Sequence, residues 1–307
     1  MMNLWQRTLT AGFHKQNLQM PALTAFSVRP MTRNDLDQAF NLSVAEGWNQ
    51  TETDWRFLLE KPDNVCIVAE KENRIAGTAT ALVHSGKVAW IGMVLVDKAM
   101  RGMGAGKMLM SEIIQRLGRI ESVKLDATPA GQPLYKSLGF KDEYSIFRMT
   151  TASLKCADSR SACTVPLHIT SERLQSVINL DTINFGVTRD YLLQHLSYEF
   201  PEKALSCSGS KNSWGYVLGR NGNRFAYVGP LCASSMDIVT DLISYALKPL
   251  VNQPVAIDVL SDKTEFIMLL ESLGFVRQRE FTRMYLKKNP HPGRPEYQYL
   301  ISGPEFG

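Results

Sequence analysis

The stretch Val94-Leu95-Val96-Asp97-Lys98-Ala99-Met100-Arg101-Gly102-Met103-Gly104-Ala105-Gly106 decides the fold of this chain. A strand, a bend and a helix start follow one another here without a spacer. Glycines let main-chain N–H groups approach an anion without side-chain obstruction, and the helix opening at Lys107 adds the positive end of its dipole. Apolar residues at Met108, Leu109, Ile113, Ile114 and Leu117 keep helical spacing, so a helix is expected over 107–117. The segment reads as an anion-binding strand-to-helix turn.

Two phosphate motifs are disfavoured by the residues themselves. A Walker A loop ending at Gly106-Lys107 needs Gly at 101 and Ser or Thr at 108, and those positions hold Arg101 and Met108. A dinucleotide fingerprint needs G-x-G-x-x-G, and glycines at 102, 104 and 106 space as G-x-G-x-G instead.

Working outward, 26–30 reads as a strand and Thr32 as the cap of a first helix; a second helix is expected around 51–59. Residues 64–70 and 75–83 alternate around Glu72-Asn73 as a hairpin, and 88–96 adds a strand. After the helix, 123–127 reads as a buried strand, 132–138 as a short helix and 144–149 as a closing strand. This order makes an α+β unit with one central mixed α/β sheet.

That unit is echoed. Ser137-Leu138-Gly139-Phe140 returns as Ser272-Leu273-Gly274-Phe275, and Arg148-Met149 returns as Arg283-Met284. The offsets agree, 272 − 137 = 135 and 283 − 148 = 135, which argues for two copies of one fold. The seam is expected in the Ser, Ala, Cys and Thr stretch 151–164, dividing the chain into an extension over 1–25, a first domain over 26–150 and a second over 165–307.

The loop Arg101-Gly102-Met103-Gly104-Ala105-Gly106, after a strand and opening a helix, resembles the coenzyme A loop of the GCN5-related N-acetyltransferase (GNAT) superfamily. Leu134-Tyr135-Lys136-Ser137-Leu138-Gly139-Phe140 matches a second motif of that family, and the resemblance covers about 26–150. It implies that main-chain amides from Arg101 to Gly106, with Lys107 at the helix start, hold the pyrophosphate of acetyl-coenzyme A. Val94, Leu95 and Val96 would then face its pantetheine arm, and Tyr135 would protonate the departing thiolate. No metal is expected.

Many family members carry an acidic base on the strand before the loop, but Trp90-Ile91-Gly92-Met93-Val94 offers none. Glu46 is the candidate base, with Trp48 and Asn49 on the acceptor side, in a segment that commonly shapes the acceptor pocket of the family. His84 has the intrinsic pKa of a base, and Phe185, Arg189 and Arg279 are candidate contributors from the second copy.

The whole chain resembles the YitH-like tandem bacterial acetyltransferases, with features such as Leu180-Asp181, Phe185-Gly186 and the run Ile301-Ser302-Gly303-Pro304-Glu305-Phe306-Gly307. Its second copy has Leu270 in place of Tyr135 and no glycine loop at Cys232-Ala233-Ser234-Ser235-Met236-Asp237, so it is expected to bind no coenzyme. The resemblance implies acetyl transfer to a primary amine of a small molecule. The alternatives are a coenzyme A-binding sensor that has lost catalysis and a protein-lysine acetyltransferase.

Composition sets the outer bounds. At 307 residues two domains are the default. A net charge of +4, from 34 basic and 30 acidic residues without a basic stripe, disfavours nucleic acid as a partner. No apolar run suits a membrane. Five cysteines, odd in number and without a C-x-x-C pair, fit a reducing, cytoplasmic compartment. The first 34 residues hold Arg7, Lys15, Arg29 and Arg33 but no acid, which fits either a bacterial extension or, in a eukaryote, a mitochondrial presequence.

Overall fold

The computed structural model describes residues 26–155, 164–208 and 213–307. The expected extension and most of the expected seam, with Cys156 and Cys163, lie outside them. In the first half the elements are β1 (Ser27–Pro30), α1 (Leu36–Ala45), α2 (Glu52–Glu60), β2 (Val65–Lys71), β3 (Arg74–His84), β4 (Val88–Val96), α3 (Ala105–Arg116), β5 (Ser122–Ala127), α4 (Gln132–Ser137) and β6 (Lys141–Thr151). In the second half they are β7 (Leu167–His168), α5 (Ser171–Phe185), α6 (Asp190–Glu199), β8 (Leu205–Ser208), β9 (Trp214–Arg220), β10 (Ala226–Ala233), α7 (Met236–Leu247), β11 (Val255–Leu260), α8 (Thr264–Ser272), β12 (Val276–Lys287) and β13 (Gln298–Leu300).

Local chemistry explains the boundaries. Thr51 accepts from the Asp54 N–H at 3.3 Å, while the Asp54 carboxylate accepts from the Thr51 N–H at 2.7 Å, a reciprocal cap that starts α2. Glu72 and Asn73 both take positive φ, 53° and 60°, as a tight turn between β2 and β3 requires. Thr32 caps a short 3-10 turn that leads into α1 rather than α1 itself.

Among the described residues all thirteen strands form one continuous sheet, because the halves exchange strands at their junction: the order there is β5-β12-β6-β11. Each half's last long strand inserts beside the other half's preceding strand. Ile146 pairs with Phe281, and 281 − 146 = 135, the offset of the sequence echo, so a local two-fold axis passes through this pair. The echoed arginines carry the exchange. Arg283 of β12 forms two hydrogen bonds to Asp126 of β5, at 2.9 and 3.0 Å, and Arg148 of β6 repeats this with Asp258 of β11, at 2.8 and 2.6 Å.

One face of the sheet is covered jointly, with Trp55, Leu58 and Trp90 packing in one core with Phe185, Leu192, Leu193 and Phe306. On the opposite face, Leu109, Met110 and Ile113 of α3 cover the first half, and α7 and α8 cover the second. Among the described residues no helix is long and apolar enough to cross a membrane.

Candidate active site

β4 and β5 run parallel and pair only at Val88–Trp90 with Ser122–Lys124, after which they part. Beyond that point β4 bulges: Thr80 pairs with Gly92 and Thr78 with Leu95, so Met93 and Val94 together face Ala79. Met93 takes φ of 50°, and its carbonyl is held by Thr78 Oγ1 at 2.7 Å. The bulge reverses side-chain parity, so Trp90, Met93 and Leu95 share one face. The parted strands frame a partly open cavity lined by Trp48, Gln50, Gly92, Met93, Val94, Asp126, Thr128, Tyr135, Arg148, Arg279, Phe281, Pro304 and Glu305.

At one end of the gap lies the glycine-rich loop. None of the main-chain N–H groups of Arg101, Gly102, Met103, Gly104, Ala105, Gly106 or Lys107 donates a hydrogen bond among the described residues. Gly104, the cap of α3, takes φ of 90°, and no atom comes within 4 Å of where a Cβ would stand. Seven consecutive donors with open space before them fit a diphosphate. The Arg101 side chain is otherwise engaged: its Nη2 lies 2.6 Å from Glu46 Oε1, and its Nε donates to the Val96 carbonyl at 3.2 Å.

Tyr135 stands on α4 with Gly131 against its ring, where a Cβ would lie 2.9 Å from Tyr135 Cε2. Burial pushes its phenol up to about 12, so it stays protonated at neutral pH and is available as a proton donor.

The other expected residues divide. Trp48, Val94, Tyr135 and Arg279 line the cavity. Glu46 does not; it pairs with Arg101 and lies 3.6 Å from Lys98 Nζ, bracing the loop from α1. Asn49 lines a smaller recess that shares Trp48, Arg148 and Arg279, but its amide is consumed, accepting from the Arg224 and Phe225 N–H groups and donating to the Phe225 carbonyl. His84 is buried away from the cavity; its Nε2 is 3.3 Å from the Phe306 carbonyl, and burial, with Arg189 nearby, pulls its pKa down to about 3. Phe185 packs edge-on to His84 and beneath Arg189, and Arg189 itself pairs with Asp181. Gln50, Asp126, Thr128, Phe281 and Glu305 are cavity residues that sequence reasoning did not select. Only Glu305 had a signal, inside the noted run 301–307.

The second half carries the same strand geometry in filled form. β10 and β11 pair only at Ala226–Tyr227 with Val255–Ala256, and β13 occupies the gap beyond, antiparallel to both. No glycine loop follows β10; α7 starts at once after Ser235.

A parted pair of parallel strands, a bulged β4 and an amide-rich helix mouth define an acyltransferase of the GNAT fold. The model of the acetyltransferase (GNAT) family matches residues 29–140, and that of an acetyltransferase (GNAT) domain matches 177–300, together more than half of the chain. This chain belongs to the GNAT superfamily as a tandem-domain member. It is 27% identical over 206 residues to the uncharacterized N-acetyltransferase YitH of Bacillus subtilis strain 168, covering 66% of this chain and 71% of that one. Among solved structures, a Pyrococcus horikoshii protein superposes with a TM-score of 0.77 at 21% identity, covering 97% of this chain and all of that one. A tandem GNAT protein from the clavulanic acid biosynthesis pathway gives 0.59 at 14% identity, over 85% and 98%. These structural likenesses concern the fold.

Proposed function

We propose that the chain transfers an acetyl group from acetyl-coenzyme A to a primary amine of a small molecule, by direct attack in a ternary complex. The observation that carries this is the run of seven unbonded amides at the mouth of α3, beside the bulged edge of β4 and on the way to Tyr135. In this reading the amides of residues 101–107 hold the pyrophosphate, and Val94, Leu95 and Val96 flank the pantetheine arm. The thioester supplies an already activated carbonyl, so the residues mainly position the amine and stabilise developing charge. Tyr135 donates its proton to sulfur as the carbon–sulfur bond breaks.

The catalytic unit is assigned to 26–150 and the partner unit to 165–307. In the partner the gap for an acyl arm is occupied by β13, which supports a single donor site per chain. A small acceptor is favoured over a protein lysine because Trp48 and the Pro304-Glu305 segment wall the cavity.

The test is calorimetric binding of acetyl-coenzyme A, followed by thiol release across a panel of primary amines. Binding with amine-dependent release is expected, and Tyr135→Phe should lower kcat about 10²- to 10⁴-fold without weakening donor binding. Absence of donor binding overturns the reading; binding without release with any amine points to the sensor instead.

A further inference from the structure

Four arginines are buried where the halves meet, and three form one-to-one pairs: Arg283 with Asp126, Arg148 with Asp258 and Arg189 with Asp181. The fourth does not. Arg220 of β9 is shared by Asp54 of α2, at 3.0 Å, and by Glu305 of the segment after β13. One guanidinium thus faces two carboxylates, all three side chains almost wholly buried, and the cluster carries an excess of one negative charge when both acids are ionised. Burial pushes the Asp54 carboxyl pKa up, so either a proton on Asp54 or a cation beside Glu305 relieves that excess.

The unmet hydrogen bonds point to the cation. Glu305, 2% exposed, commits Oε1 to Arg220, while its Oε2 has no partner; Gln50 Oε1, in a residue 5% exposed, has none either. Among the described residues six buried side-chain polar atoms lack a partner, and these two are the ones whose residues line the Tyr135 cavity. Both are acceptors. An ammonium group supplies N–H donors and the missing charge together.

Position adds a third observation. Glu305 lies directly on β4, where a Cβ on Gly92 would come within 2.7 Å of the Glu305 Cα. The glycine in the acid-free strand Trp90-Ile91-Gly92-Met93-Val94 is what admits this carboxylate-bearing segment from the other half.

We propose that Glu305 and Gln50 form the ammonium subsite of the acceptor, with Glu305 as the catalytic base. The inference rests on the acetyl-transfer reading above. The acceptor ammonium gives one proton to Glu305, which passes it to solvent. The freed nitrogen then bonds to the acetyl carbonyl carbon, the carbon–sulfur bond breaks, and sulfur takes the proton of Tyr135. The second proton lost by nitrogen restores Tyr135. The charged groups facing Glu305 are Arg220 from β9, Asp54 from α2 and Arg148 from β6.

The test uses the full chain with Glu305→Gln and Glu305→Asp, thermal melting for the fold, calorimetry with acetyl-coenzyme A, and thiol release with primary amines from pH 6 to 9.5. Glu305→Gln should keep donor affinity and lose about 10²-fold in kcat/KM at pH 7. That deficit should shrink as rising pH supplies the free amine from solution, and Glu305→Asp should recover part of the rate. A folded Glu305→Gln chain with the wild-type rate and pH profile overturns the proposal. Wild-type chain that releases no thiol with any amine overturns acetyl transfer itself, and the subsite with it. If Glu305→Gln does not fold, Gln50→Leu decides: an amine KM raised about tenfold with unchanged donor affinity supports the subsite, and an unchanged amine KM overturns it.

Discussion

Gly131→Ala should separate the placement of Tyr135 from everything else the chain does. Gly131 has φ of −84° and ψ of −26°, ordinary right-handed backbone that alanine adopts without strain. The new Cβ would nevertheless stand 2.9 Å from Tyr135 Cε2 and 3.4 Å from both Cζ and the hydroxyl. Carbon atoms rest at about 3.5–4.0 Å, so the ring must retreat by roughly 0.6–1.1 Å. Stability should change little, since replacing glycine in a compatible conformation gains about 0.4–1 kcal/mol through the unfolded chain, which offsets the repacking. Turnover should not be spared: a misplacement of about 1 Å costs up to about 100-fold, or about 2.7 kcal/mol of barrier. The assay is steady-state thiol release, with calorimetry to check that acetyl-coenzyme A affinity at the amide loop is intact. In a Tyr135→Phe background the alanine should add less than about twofold, because the group it displaces is already gone. A folded Gly131→Ala enzyme with wild-type kcat would refute the role given to Tyr135.

Three further outcomes follow from the geometry. Gly104→Ala places a side chain in a left-handed position at φ of 90°, at a cost of about 1–2 kcal/mol, and its Cβ enters the open space before the amides; calorimetry should show acetyl-coenzyme A binding weakened at least about tenfold. Arg283→Ala leaves the Asp126 carboxylate, whose side chain is 0% exposed, without its counterion and should destabilise the chain by about 3–5 kcal/mol in urea unfolding, with Arg148→Ala costing less because Tyr227 still donates to Asp258. His84 is neutral and buried, with its pKa down at about 3 against 6.5 in the unfolded chain, so the unfolded chain binds more protons between those values. Stability is therefore full above about pH 6.5 and falls as pH drops toward 3, by about 2 kcal/mol between pH 6.5 and 5. His84→Asn should flatten that limb, as denaturant melts at both pH values will show.

Much of this was legible in the residues. The glycine loop was legible as a strand-to-helix turn with unobstructed amides, because glycine leaves main-chain N–H groups bare, and those of 101–107 donate to no described residue. The echo of Arg148-Met149 in Arg283-Met284 revealed a repeat, yet not that each arginine crosses into the other half; strand exchange leaves no local signature, since the partners of β6 and β12 lie more than 100 residues away in sequence. Glu46, Asn49 and His84 have side chains suited to chemistry, but their partners are up to 222 residues away, so only the folded chain reveals that Arg101, Phe225 and Phe306 occupy them. The β4 bulge was invisible for a related reason: Met93 with φ of 50° is held by Thr78 on the neighbouring strand.

Duplication accounts for the segment after β12. In the first half the gap between β4 and β5 is open; in the second half the equivalent gap is filled by β13, antiparallel to both neighbours. A filled gap needs no phosphate loop, which explains how α7 can start directly after Ser235 with no glycines. Once β13 is fixed there, residues 301–307 emerge beside β4 of the other half, where Ser302 is bonded by Arg189 and Glu305 by Arg220. The strand that fills the gap in one half thereby leads directly into the segment that sets Glu305 against Gly92 of the other half, the placement on which the proposed ammonium subsite rests.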